Sequence, residues 1–180
     1  MWLSKLILRI AGWTVKVAVP DYPRCIICVA PHTSNWDFIL GKLAYASIGR
    51  KAGFLMKSTW FFFPLGYIFR AMGGVPVVRK KGGTSLVDTL VQKYKTSDNL
   101  VLAITPEGTR SRTSEWRTGF LRIAQQANVP IILGALDFGR KEVILTETFI
   151  PTGDIDADMR AVKNYYKDFT GKHPEKFTAE

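Results

Sequence analysis

Acidic side chains are nearly missing from the first half of this 180-residue chain. Residues 1–81 hold 12 Lys and Arg but only Asp21 and Asp37 on the acidic side, whereas residues 82–180 hold 13 of each sign. The whole net charge of +10 therefore lies in the first half. Such an imbalance suits a surface that meets nucleic acid, an anionic bilayer or an anionic substrate. Cysteine is scarce as well. Cys25 and Cys28 are the only two, and both sit in the apolar run Cys25–Ala30. Positions three apart in a strand point to opposite faces, so this C-x-x-C is no redox pair, and without a second pair it makes no zinc site. Two buried free thiols are expected. Histidine is limited to His32 and to His173 in a polar tail, for which no role is expected. No apolar run is long enough to cross a bilayer: Trp60–Phe69 has ten residues, where a helix needs about 20. Residues 2–13 make a poor secretory signal, because Arg9 interrupts the apolar stretch and no A-x-A site follows. Neither a G-x-S-x-G elbow nor a G-x-x-x-x-G-K phosphate loop occurs, which weakens a hydrolase or P-loop reading.

What is present alternates between two periodicities. Short apolar runs at Trp13–Val19, Cys25–Ala30, Gly53–Met56, Val75–Val78, Leu100–Ile104, Pro130–Leu136 and Glu142–Thr148 read as strands, the last as an edge strand. Helical spacing appears at Asn35–Ile48, Trp60–Ala71, Thr84–Lys95 (Leu86, Leu90 and Val91 on one face), Phe120–Ala127 and Asp154–Phe169. The expected fold is α/β: a single domain with a mixed central sheet and helices on both faces. Residues 1–20 hold an amphipathic helix and the first strand, and residues 21–180 the main body of one compact unit.

Chemistry concentrates in two segments. The first is His32-Thr33-Ser34-Asn35-Trp36-Asp37, directly after the second strand. On one continuous helix, residues five apart are about 140° from each other and share no face. If Ser34 caps a helix, Asp37 falls at its third position while His32 stays just outside, and both converge at the helix start. An imidazole oriented by a carboxylate is a general base for an alcohol. The bland alternative is an ordinary S-x-x-D helix start beside a loop histidine. The second segment is Thr105-Pro106-Glu107-Gly108-Thr109-Arg110-Ser111, again directly after a strand. An arginine on a glycine turn holds an anion well. In open α/β sheets ligands gather at the carboxyl ends of strands, so both segments are expected at one edge.

The two segments together resemble the glycerolipid acyltransferase family, which includes the 1-acyl-glycerol-3-phosphate acyltransferases. Four ordered motifs carry the resemblance: His32–Asp37, Gly74-Val75-Pro76-Val77-Val78-Arg79, Pro106–Ser111, and Val129-Pro130-Ile131-Ile132. It spans roughly residues 25–138. It departs at Thr105, where the family usually has phenylalanine, and at Leu133-Gly134, where another proline is common. The resemblance implies that residues 21–180 form an acyltransferase domain with His32 and Asp37 catalytic. It implies Arg79 and Arg110 as ligands of an acceptor phosphate, with Glu107 and Gly108 shaping that pocket. Thr109, Ser111 and Gly74 are expected to support the motifs, a backbone amide near Gly108 or Thr109 serving as oxyanion donor. The implied reaction passes an acyl group from a thioester, on coenzyme A or acyl carrier protein, to a lysophospholipid or glycerol-phosphate hydroxyl, with no metal and no further cofactor. A non-catalytic basic module for membrane or nucleic acid, and an enzyme for a phosphate-free lyso-lipid, stand as alternatives.

Aromatic residues beside the basic ones favour lipid over nucleic acid as the partner. Trp60–Phe69 is flanked by Arg50, Lys51, Lys57 and Arg70. Trp2, Leu3, Leu6, Ile7, Ile10 and Trp13 recur at helical spacing, with Ser4, Lys5 and Arg9 on another face. Both patterns fit an interfacial segment on an anionic membrane, and both could instead fill or dock on the core. The expected location is peripheral, on the inner face of the cytoplasmic membrane.

Overall fold

The computed structural model of the chain describes residues 1–77 and 85–180. In chain order these form α1 (Trp2–Ile10), β1 (Thr14–Val17), β2 (Arg24–Ala30), α2 (Trp36–Ser47), β3 (Gly53–Lys57), α3 (Leu65–Ala71), β4 (Gly74–Val77), α4 (Leu86–Thr96), β5 (Leu100–Ile104), α5 (Gly119–Ala127), β6 (Ile131–Asp137), β7 (Glu142–Phe149) and α6 (Ile155–Tyr166). Short 3₁₀ turns at Ser58–Trp60 and Pro174–Lys176 complete the set. The strands make one sheet in the order β1-β7-β6-β2-β5-β3-β4, parallel throughout except for the β6–β7 pair. The α/β domain with a mixed sheet is as the sequence predicts.

The two-residue period of β2 sets the layers. Ile26, Cys28 and Ala30 face a large core built with Leu90, Val91 and Tyr94 of α4, Phe120–Ala127 of α5, and Val162 and Tyr166 of α6. Cys25 and Ile27 face the other way, onto Tyr45 of α2. A third cluster on that second face joins Leu8 of α1 to Leu40 and Ala44 of α2 and to Leu136 and Val143 of the sheet. The two cysteines are therefore free, buried and on opposite sides. Burial drives both thiols up, Cys25 to about 12. Two helix tyrosines pin the middle strand. Tyr94 Oη donates to Cys25 O at 2.9 Å, and Tyr166 Oη to Cys28 O at 2.6 Å.

Several local expectations need correction. Glu142–Phe149 is not an edge strand, because β1 pairs with it in parallel and takes the edge itself. The helix expected over Trp60–Ala71 begins only at Leu65, after Pro64; Gly66 sits where a Cβ would stand 2.7 Å from Phe61 O, so the preceding turn folds back onto it. The buried stripe of α4 is Leu90, Val91 and Tyr94, whereas Leu86 in its first turn is exposed. That helix is capped by Ser85, whose hydroxyl accepts the Asp88 N–H at 3.1 Å. At the other end of the fold, α5 stops at Asn128 in the left-handed conformation (φ 50°), a common helix terminator.

Beyond α6 the chain returns across the carboxyl edge of the sheet. Phe138 N–H, just past β6, donates to Thr170 O at 2.8 Å. Further on, Trp116 Nε1–H donates to Thr178 O at 3.2 Å, with Phe177 against the same indole.

Candidate active site

Strands β2 and β5 are parallel neighbours, in register from Arg24↔Leu100 to Cys28↔Ile104. Their carboxyl ends therefore deliver the His32 and Thr105 segments side by side. Pro31 is joined to Ala30 by a cis peptide bond, and His32 follows before α2 begins. His32 Nδ1 lies 3.2 Å from Asp37 Oδ2, with the imidazole partly open and the carboxylate buried. The helix starts one residue later than expected. Asn35 is the cap position, without a side-chain bond, and Asp37 is the second helical residue. Asp37 ties down the loop ahead of the helix: its Oδ2 accepts the backbone N–H groups of Thr33 and Ser34, each at 2.8 Å. Ser34 Oγ instead accepts the Trp36 N–H at 2.9 Å. A carboxylate held by two backbone donors is fixed in place, and it aims the imidazole's other nitrogen outward. The carboxylate in the first turn of the helix and the one that faces the imidazole are thus the same group, which joins the two readings of this segment that the sequence left apart.

The second segment turns tightly. Gly108 N–H donates to Thr105 O at 3.2 Å, and Arg117 N–H to Pro106 O at 2.7 Å. Gly108 has φ +64°, a conformation that suits glycine, and the Arg117 stem fills the space over it, with Cγ 3.3 Å from where a Cβ would be. A cleft of about 420 Å³ opens here, lined by His32, Thr105, Gly108, Thr109, Arg110 and Ser111. A larger opening of about 550 Å³, between Arg112–Glu115 and the tail residues Thr178 and Glu180, holds neither histidine nor cysteine. The smaller cleft, which His32 lines, is the candidate site.

Arg110, Gly108, Thr109 and Ser111 thus reach the cleft beside His32, and Arg110 has no acidic partner among the described residues. Glu107 does not join them. Only 5% exposed, it is turned into the protein behind His32, and its Oε2 is buried without a partner among the described residues. Burial pushes its carboxyl up to about 8; the His32 backbone N–H pulls it down and the Asp37 charge adds to the rise. Its carboxyl faces the loop's interior rather than the open cleft, so any part it takes in shaping the pocket is from behind. Gly74 does not line the cleft either. It opens β4 away from the cleft, where a Cβ would stand 2.7 Å from Phe69 O and 3.2 Å from the rings of Phe54 and Phe61. It therefore permits close packing. Of the two amides expected as oxyanion donors, that of Gly108 is already bonded to Thr105 O, which leaves Thr109. Arg79 lies outside the described residues.

Sequence reasoning missed Thr33, whose side chain is buried at the centre of the motif, and Thr105, which lines the cleft. It also missed Arg117 against Gly108. Only Arg117 carried a local signal, a basic residue shortly after the glycine turn.

A family model described as Acyltransferase matches residues 16–133, more than half of the chain. No curated protein sequence matches it. Among solved structures, the chain is similar to the crystal structure of the 1-acyl-sn-glycerophosphate (LPA) acyltransferase PlsC from Thermotoga maritima, with a TM-score of 0.58 and 20% identity over 93% of this chain and 78% of that one.

Proposed function

The chain belongs to the acyltransferase family, and from that premise we propose that it moves a fatty acyl group from a thioester, on coenzyme A or acyl carrier protein, to the hydroxyl of a phosphate-bearing lyso-lipid or glycerol phosphate, with 1-acyl-glycerol-3-phosphate the leading acceptor. One observation carries the reading. The His32–Asp37 pair opens onto the same cleft as Arg110, which supplies a base and a cation within one small site.

In this reading the acceptor hydroxyl lies at His32 Nε2. As its oxygen attacks the thioester carbonyl, its proton passes to that nitrogen. Asp37 steadies the imidazolium through Nδ1–H. The tetrahedral intermediate places its oxyanion at the Thr109 amide. It collapses to the ester by releasing the thiol, whose sulfur takes the proton back from Nε2. No covalent enzyme intermediate forms. Arg110, and Arg79 by family resemblance, hold the acceptor phosphate, because a planar guanidinium matches phosphate in a two-pronged fashion.

Peripheral attachment to an anionic bilayer completes the proposal. No helix among the described residues is long and apolar enough to cross a membrane. Only Leu8 of α1 is buried, which leaves Trp2, Leu3, Leu6, Ile7 and Ile10 exposed. Trp60, Phe62, Phe63, Tyr67 and Ile68 around α3 and Trp36 and Ile39 on α2 are exposed too. The α1 and α2 residues project from the face opposite α4, α5 and α6, and α3 is tied to that side by Lys42 of α2, which donates to Met72 O at 2.7 Å. Exposed apolar side chains on these three helices suit a nonaqueous partner.

The test is an acceptor screen with a radiolabelled acyl-CoA and acyl carrier protein thioester against lysophosphatidic acid, glycerol 3-phosphate, lysophosphatidylcholine, lysophosphatidylglycerol and water. Ester formation on a phosphate monoester acceptor, lost in His32→Ala, supports the reading. Hydrolysis alone, or equal use of every acceptor, overturns it.

A further inference from the structure

The loop that carries the base is held from behind by a part of the chain outside the residues the family model matches. Asp37 Oδ2 takes its position from the Thr33 and Ser34 amides, while Asp37 Oδ1 is buried without a partner among the described residues. Those two amides are therefore the dyad's foundation, and what fixes Thr33 fixes Asp37. The Thr33 side chain is 2% exposed, and its Oγ1 accepts the backbone N–H of His173 at 3.1 Å. Gly171 presses on the same side chain: a Cβ there would stand 2.9 Å from Thr33 Cγ2, 3.0 Å from Thr33 Oγ1 and 3.1 Å from Pro31 Cβ. Between them, Lys172 Nζ lies 4.8 Å from the centre of the Trp36 ring, in the first turn of α2. Thr170 is tied to the end of β6 through Phe138.

We infer that Thr33 is a positioning residue of the dyad and that the tail segment Gly171–His173 sets the catalytic geometry through it. The path is continuous. His173 N–H bonds the Thr33 hydroxyl, Thr33 N–H bonds Asp37 Oδ2, and that same oxygen faces His32 Nδ1. A hydroxyl is needed because Thr33 Oγ1 is the acceptor of the His173 N–H among the described residues; an isosteric methyl removes that bond and loosens the tail from the loop. Glycine is needed because the tail backbone comes too close for any Cβ. This assignment rests on the reading of His32 as the base.

The test uses Thr33→Val, Thr33→Ser, Gly171→Ala and the double variant Gly171→Ala/Thr33→Ser in the full chain. Acyl transfer from a long-chain acyl-CoA to lysophosphatidic acid gives kcat and both KM values. The downfield imidazole N–H proton resonance of His32, identified by its loss in His32→Ala, reads the dyad without any substrate. Thermal unfolding is followed alongside. Thr33→Val is expected to lower kcat about tenfold or more, with both KM values within about threefold, because the binding cleft is untouched while the base is misaimed. Its His32 resonance should shift or broaden. Thr33→Ser should keep both near native, since it retains the acceptor. Gly171→Ala should behave like Thr33→Val, and adding Thr33→Ser should restore part of the loss by removing the Cγ2 methyl at the tightest contact. If Thr33→Val fails to fold, Gly171→Ala and its partial rescue decide alone. Native kcat and an unmoved resonance in Thr33→Val or Gly171→Ala refute the assignment. So does an equal loss in Thr33→Ser. An active His32→Ala refutes instead the reading beneath it, and the resonance still reports whether the tail sets the geometry.

Discussion

Glu107→Gln is the most revealing single change at this site. The native carboxyl is buried behind His32, with one oxygen unpartnered among the described residues and Asp37 nearby. Its folded value of about 8 stands far above the ordinary 4.5, chiefly because burial penalises the anion. For an acid with a raised folded value, the stabilising contribution is fully present below about 4.5 and is lost as pH rises through about 8. Between pH 6 and pH 8 the native protein should thus lose about 2 kcal/mol through this group, at about 1.36 kcal/mol per unit over most of that range. Glutamine cannot ionise, yet its amide oxygen can still accept the His32 N–H. The variant should therefore escape that loss. Urea or thermal unfolding of both proteins at pH 6 and pH 8 reads the difference directly. The native melting temperature should fall between these two pH values by roughly 4–8 °C more than that of the variant, given about 2–4 °C per kcal/mol in a chain of this size. The variant should also keep most of its acyl transfer at pH 7, which a phosphate-binding carboxylate would not allow. If the two proteins have parallel stability profiles, Glu107 ionises like a surface carboxylate and the argument from its burial fails.

His32→Ala should lower kcat at least about a hundredfold with circular dichroism unchanged, and Asp37→Asn somewhat less; near-native turnover in folded His32→Ala would remove the base mechanism. Arg110→Ala, and Arg79→Ala by resemblance, should raise acceptor KM roughly 10- to 150-fold, from charge-assisted bonds of roughly 1.5–3 kcal/mol, with thioester KM little changed and poor rescue by lysine. A joint rise of both KM values would instead assign the arginines to the donor or to the fold. Sedimentation with vesicles should show binding to phosphatidylglycerol-rich bilayers that exceeds binding to neutral ones, weakens with salt and drops on deletion of residues 2–13; equal partition to both would count against an anionic surface as partner. Tyr166→Phe leaves Cys28 O without its 2.6 Å donor and should cost about 1–3 kcal/mol of unfolding free energy.

Much of this protein is local and therefore legible in one dimension. The apolar run Cys25–Ala30 buries both its faces, so its period alone sets a strand and places Cys25 and Cys28 on opposite sides. The order of the four motifs pointed to the family, and two of them follow directly on adjacent strands, so their meeting at one edge follows from parallel pairing. Where the sequence was silent, the deciding contacts join distant parts of the chain. Glutamate in a P-E-G turn looks like a site ligand, yet β5 directs it inward behind His32, and only tertiary burial changes its chemistry. Gly74 belongs to a motif and serves packing, because Phe54 and Phe61 close over it. β7 alternates like an edge strand, but β1, more than a hundred residues away in sequence, covers its free side. Thr33 and His173 are separated by 140 positions, and no periodicity or spacing rule links them. A sequence records which side chains a residue carries and which face of its own element it takes. Which distant backbone will supply the missing hydrogen bond, or leave no room for a Cβ, is fixed only when the layers close.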